Sequence, residues 1–314
     1  MSLSTGAGHA AQLITNQGAT QVRLQVNAKG EALLTYRSNG QLKRVLVWGA
    51  LNALQPTRGA KQFEFELDYS GGWRRYHTKY WETFPSKCDT YDGPALPNVV
   101  AECRSPDGSY WVAQSWQQLL PDLGYLPWLP IQKASWLLLS HWTGPIAQIE
   151  VGMNWIYDGE WQQIFTRVTY RGHPVYGFGT SRYGVPTDDF GRIVYVDTHN
   201  STYGKGWRRE NASVTHNPTG LFCYGLSPHD PTTGGYSHPP GQTTPRGPGT
   251  GDEYRLTVNG PGVSPIVEKV IPGLHEYDAT DAGDIALQRQ QSGKLAGWGG
   301  KAERGDCRKG WFEP

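Results

Sequence analysis

The sequence predicts an all-β fold, a large antiparallel β-sandwich of jelly-roll type with long Gly/Pro-rich loops and a short C-terminal helix and tail. Three observations carry that expectation. Glycine (40) and proline (22) are abundant in the 314 residues, and Trp (13) and Tyr (17) are interleaved with them, a mixture that favours short strands and tight turns. Apolar and polar residues alternate in short runs separated by turn-forming residues. Only one segment, close to the C-terminus, carries the start and stop signals of a helix.

The elements follow in order. Residues 1–19 are small and polar and are expected to form a flexible arm. Val22–Val26, Ala32–Tyr36 and Leu42–Trp48 are separated by turns at Asn27-Ala-Lys-Gly30 and Ser38-Asn-Gly40, which makes a three-stranded antiparallel meander. Phe63, Phe65, Leu67 and Tyr69 alternate with Gln62, Glu64, Glu66 and Asp68, the pattern of a half-buried strand with aromatics inward and acids outward. Val99–Arg104 and Tyr110–Trp116 flank Ser105-Pro-Asp-Gly108, where proline presets the turn and glycine permits positive φ. Leu119–Pro130, with three prolines, reads as an irregular crossover, and Trp136–Trp142 as a buried strand.

The clearest hairpin runs from Gln148 to Tyr157, through a two-residue turn at Asp158-Gly159, and back from Trp161 to Tyr170. That turn sets the register: Ile149 opposite Val168, Val151 opposite Thr166 and Met153 opposite Ile164 on one face. Glu150 opposite Arg167, Gly152 opposite Phe165 and Asn154 opposite Gln163 lie on the other. Further strands are expected at Arg192–Thr198, Leu221–Leu226, Tyr254–Val258 and Ile266–Val270, with a long Pro/Gly/Thr/His loop at 227–251. The helix has Asp281 as its cap, Asp284 in its first turn and Gly293 as its end. One sandwich domain is thus expected over 20–275, with the segment 276–314 packed on it.

Composition excludes several classes of function. With 29 basic and 28 acidic residues, nothing draws the chain to nucleic acid or an anionic membrane. No run approaches the ~20 apolar residues of a membrane span. The Gly-x-Ser-x-Gly elbow and the phosphate-cradling loops that follow a strand and open a helix are missing, so neither a serine nucleophile nor a cofactor is expected.

Four cysteines without a Cys-x-x-Cys pair point to disulfides. Of the three possible connectivities, Cys88–Cys103 with Cys223–Cys307 is preferred, because the first pair flanks a short loop that two neighbouring strands can close. Disulfides imply a secreted or cell-surface protein. The first residues lack the basic and apolar regions of a secretory signal, so the expectation is an exported form from which the leader has gone.

Three sets of residues are candidates for chemistry. Glu64, Glu66 and Asp68, about 7 Å apart along one strand face, match the ~6.5–9.5 Å carboxylate separation of an inverting glycosidase; the plainer reading is a solvated face neutralised by Arg74, Arg75 and Lys79. Asp197 and His199 share one side of a strand, and with His216 they form a weak metal-ligand set, though no metal is expected because the tight spacings are lacking. Trp136, Trp142 and Trp155 sit in apolar runs and belong to the core, whereas Trp73, Trp161 and Trp207 sit among polar residues. Each of these three is either a platform for a sugar ring or a ring folded onto its own sheet beneath an arginine.

The leading expectation is an exported binding or surface protein that recognises a glycan or another cell-envelope component through Glu150, Asn154, Trp161, Gln163 and Arg167. The alternatives are a polysaccharide-cleaving enzyme using Glu64, Glu66 or Asp68, and a structural protein assembling through its tails.

Overall fold

A computed structural model of the chain describes residues 11–55, 61–117, 135–157, 160–175, 178–180, 186–188, 194–201, 204–209, 211–216, 221–227, 253–272 and 278–297. The protein is mostly β, built of several antiparallel sheets with a C-terminal helix.

In chain order the first strands are β1 (Gln12–Thr15), β2 (Thr20–Val26), β3 (Ala32–Ser38), β4 (Gln41–Trp48), β5 (Glu66–Asp68), β6 (Val99–Arg104), β7 (Tyr110–Gln117) and β8 (Ser135–Trp142); the short helix α1 (Trp73–Tyr76) follows β5. They make two four-stranded sheets, ordered β2-β3-β4-β5 and β1-β8-β7-β6. The meander expected from Val22 to Trp48 is therefore found, as is the hairpin around Ser105–Gly108, where Gly108 has φ +82°. Both sheets feed one apolar core: Val26, Leu34, Val45 and Val47 from the first meet Trp111, Ala113, Leu137 and Leu139 from the second. Alternation explains this, since every second residue of each strand points to the same side.

Two expectations need correction here. The N-terminal arm is not loose throughout, because Gln12–Thr15 pairs with β8 and buries Ile14 in the shared core. The strand expected over Phe63–Tyr69 is paired only over Glu66–Asp68, opposite Leu46–Trp48. Its alternation holds for Phe65, which is buried, while Phe63 and Tyr69 are exposed.

The second half contains β9 (Gln148–Tyr157), β10 (Glu160–Tyr170), β11 (His173–Pro174), β12 (Phe178–Thr180), β13 (Pro186–Asp188), β14 (Val194–Ser201), β15 (Gly204–Arg209), β16 (Asn211–His216), β17 (Leu221–Ser227), β18 (Glu253–Asn259), β19 (Ile266–Pro272) and α2 (Ala282–Gly297). Strands β9, β10, β11, β16 and β17 form one sheet, β15-β14-β18-β19 another, and β12 pairs with β13. Val151, Val168 and Tyr170 from the first of these share a core with Val194, Leu256, Val258 and Val267 from the second. β15 and β16 escape sequence reading because Gly204-Lys-Gly-Trp-Arg-Arg209 and Asn211-Ala-Ser-Val-Thr-His216 offer too few apolar residues to show a period.

The Gln114 side chain helps tie the halves together. Gln114 on β7 donates through its amide nitrogen to the Ile266 carbonyl at 3.1 Å and accepts from the Ile266 N–H at 3.0 Å. Ile266 itself packs on Trp116, Trp136 and Leu138.

Asp281 caps α2 as expected, accepting from the N–H groups of Gly283 (2.8 Å) and Asp284 (3.0 Å). Gly293 does not end the helix, which runs on to Gly297. Glycine costs about 1 kcal/mol inside a helix, and beyond it the Lys294 ammonium, bonded to the Val151 carbonyl of β9, holds the last turn in place.

Cys88 and Cys103 form a disulfide, with Cα atoms 5.4 Å apart; the backbones of Asp89 and Arg104 exchange hydrogen bonds beside it. Cys223 lies on β17, and the expected partner Cys307 is outside the described residues, as are the crossover Leu119–Pro130, the Asp158-Gly159 turn and all but Ser227 of the 227–251 loop. Among the described residues no helix is long and apolar enough to cross a membrane.

Candidate functional site

The β9–β10 hairpin has the register expected from the sequence. Glu150 lies opposite Arg167, Gly152 opposite Phe165 and Asn154 opposite Gln163, while Ile149, Val151 and Met153 lie opposite Val168, Thr166 and Ile164. Val151, Thr166 and Val168 are buried. On the other face the Glu150 carboxylate stands 4.0 Å from the Arg167 guanidinium, the two side chains 46% and 33% exposed. Register puts Trp161, opposite Ile156, on the same face as Gln163 and Arg167. A cation that the sequence did not suggest also acts here. The Lys294 amine is pushed below its usual range by burial, against the opposing pull of Glu150.

The three acids of the first half are not equivalent. Glu64 and Glu66 are exposed, but Asp68 is 2% exposed. It caps the turn into α1, accepting from the Ser70 N–H at 2.8 Å, from the Ser70 hydroxyl and from the Arg75 N–H at 3.3 Å. Burial pushes its carboxyl up, yet these hydrogen bonds outweigh that effect and hold it below the usual carboxylate range. The chain can leave the strand here because Gly72 takes φ +102°, where a Cβ would press against Tyr80 at 3.0 Å. An acid committed in this way is a structural acceptor, and the expected outward row of three carboxylates reduces to Glu64 and Glu66.

A further buried acid, Glu31, carries no motif and was missed by sequence reading. It is 2% exposed and accepts from Asn27 (2.7 Å), Tyr80 (3.1 Å) and Tyr76, with Arg75 at 3.3 Å. Arg75 in turn stacks on Trp48, 4.1 Å from the ring centroid. This arrangement fastens the segment after β5 to the β2–β3 turn.

His141 is buried against Trp111, ring centroids 3.7 Å apart. Its Nδ1–H donates to the Ala50 carbonyl at 2.7 Å, leaving Nε2 to face the Ser109 hydroxyl at 2.8 Å. The same hydroxyl lies 2.6 Å from Asp107. Serine sits between acid and base in this chain, and at 2% exposure it is no accessible nucleophile. Burial lowers the His141 pKa to about 4, against the Ala50 hydrogen bond and the charge of Asp107.

Asp197 and His199 lie on β14, whereas His216 lies on β16 in a different sheet. Asp197 is bound to Arg255, whose Nη2 and Nε donate to one carboxylate oxygen at 2.8 and 3.2 Å. The Arg255 guanidinium is 4.5 Å above the Trp207 ring, and His199 is 5.0 Å from that ring. Of the two readings for Trp207, the ring beneath an arginine is therefore the one found. Glu268, 3.6 Å from Arg255, is pushed up by burial, opposed by Arg255 and helped by Asp197. Among the described residues no group of three or more His, Cys, Asp or Glu side chains is gathered to hold a metal ion.

The chain matches no protein-family model, no curated protein and no solved structure.

Proposed function

We propose that the protein is an exported binding protein that recognises a glycan or another cell-envelope component on the outer face of the β9–β10 hairpin. The observation that carries this reading is the half-exposed Glu150–Arg167 pair, 4.0 Å apart on a sheet face whose other side is apolar core. Asn154, Gln163 and Trp161 share that face by register. Carboxylate, guanidinium and amide groups donate to and accept from sugar hydroxyls, and an indole packs on the C–H face of a sugar ring. The Cys88–Cys103 disulfide supports an oxidising compartment. A binding reading is also favoured over glycan cleavage because Asp68 is buried and held as a turn cap by Ser70 and Arg75, out of reach of a substrate.

A glycan array tests this. Binding by the wild-type chain that falls with both Trp161→Ala and Arg167→Ala is the expected result. Absence of binding, or binding indifferent to both substitutions, overturns the reading.

A further inference from the structure

A cavity of about 450 Å³ opens between β1 and the β3–β4 pair in the first half of the chain. Its walls include Thr15 and Gln17 on one side and Tyr36, Lys43, Arg44 and Tyr69 on the other. Register explains the grouping. Tyr36 pairs with Lys43, so phenol and ammonium project to the same side of the sheet, the first 3% exposed and the second at the surface. Tyr69, just past β5, leans over the opening and donates from its hydroxyl to the Ile14 carbonyl at 3.2 Å.

Charge narrows the choice of occupant. Among the described residues no carboxylate lines the cavity. Lys43 donates to the Gln41 side chain at 2.7 Å and makes no ion pair, while the Arg44 guanidinium lies over the Trp81 ring, 5.2 Å from its centroid. The space thus offers two phenols, the amides of Asn16 and Gln17, the hydroxyls of Thr15 and Ser38 and, at Lys43, a cation without an anionic partner. Burial raises the Tyr36 and Tyr69 pKa values, so both phenols stay neutral; the Tyr69 proton is already donated to the Ile14 carbonyl, so toward an occupant that residue offers an acceptor oxygen and a ring face. Aromatic walls with scattered hydroxyl and amide groups suit a polyhydroxylated ring, and the free ammonium suits an acid on that ring. A volume near 450 Å³ lies within the range of ligand pockets, ~300–1,000 Å³.

We propose that this cavity binds a uronic-acid residue of an acidic glycan, its carboxylate paired with Lys43 and its ring held against Tyr36 and Tyr69. The proposal rests on the glycan-binding reading and adds to the β9–β10 face a second site with its own specificity.

Titration calorimetry with trigalacturonate and with neutral galactotriose tests it, using the full chain, Lys43→Gln, Tyr69→Ala and, as a control for loss of one surface charge away from the cavity, Lys87→Gln. The wild type is expected to bind the acidic trisaccharide in preference to the neutral one. Lys43→Gln and Tyr69→Ala should each weaken that binding about tenfold or more, the loss of one charge-assisted hydrogen bond or one ring wall, with thermal midpoints unchanged and Lys87→Gln like the wild type. Equal binding of the two trisaccharides, or trigalacturonate binding that survives both cavity substitutions, overturns the acidic-sugar site while leaving the β9–β10 reading standing. No binding of trigalacturonate also overturns the cavity proposal, and the glycan array then decides independently whether the broader reading survives.

Discussion

In the two N-terminal sheets the buried acids Glu31 and Asp68 are surrounded by donors, whereas on β18 the amide of Asn259 and the hydroxyl of Thr257 are equally buried without a hydrogen-bond partner. Unmet donors occur in the first half too, on the indoles of Trp111 and Trp142 and on Ser140, but no acid is among them. The contrast separates two uses of a buried polar group. Glu31 and Asp68 each fasten a turn or a helix start to a sheet, and so determine where the chain goes. Asn259 and Thr257 fasten nothing and carry a desolvation penalty of about 1–3 kcal/mol each.

The largest expected effect comes from removing the central acceptor of the first half. Glu31→Ala leaves Tyr76, Tyr80, Asn27 and Arg75 without their shared partner and should lower stability by about 4 kcal/mol, read as a shift of the urea midpoint at constant slope. A loss under ~1 kcal/mol would show that this acid behaves like an exposed one and would erase the contrast.

A second effect is expected from His141, neutral in the fold and with a pKa of about 4. Unfolded histidine titrates near pH 6.5, so between about pH 6.5 and 4 the unfolded chain binds the extra proton and stability falls as pH falls. The loss should approach about 3 kcal/mol at the bottom of that window, and thermal unfolding across pH should show the slope in the wild type but a flatter one in His141→Gln. An unchanged slope would mean that His141 is not the group responsible.

For the second half the expectation has the opposite sign. Asn259→Leu removes two unpaired polar atoms and should leave stability unchanged or raise it by about 1 kcal/mol. A clear destabilisation in denaturant titration would show that the amide is satisfied after all and so plays the same part as Glu31.

The smallest effect belongs to the binding face. A double-mutant cycle on Glu150 and Arg167, both partly exposed, should give a coupling of only ~0.5 kcal/mol. A coupling several times larger would mark the pair as a structural tie, like Glu31, and not a surface open to ligand.

Particular elements show what could be read in advance. The β9–β10 register was legible residue by residue, because the two-residue turn read from the sequence leaves one pairing that keeps Val151, Thr166 and Val168 inward, and a one-residue slip of β10 would turn Thr166 and Val168 outward. The meander, the Ser105–Gly108 hairpin and the Asp281 cap were legible for the same local reason: turn chemistry and alternation act between neighbours in the chain.

Long-range packing decided the rest. Alternation placed Asp68 with Glu64 and Glu66, but the chain turns at Gly72 and draws Asp68 inward. Helix α2 continues past Gly293 because Lys294 meets a carbonyl on β9. Trp207 is covered by Arg255, a residue on a strand remote in sequence, and the cavity beside Lys43 exists only where β1 comes to lie over β3 and β4. The sequence by itself determined the strands, the turns and the hairpin register, since these depend on side-chain period and backbone torsions a few residues apart. Which polar groups are buried, which aromatic rings are covered and where a cavity opens were decided only when distant strands packed, because burial depends on every segment that closes over a site.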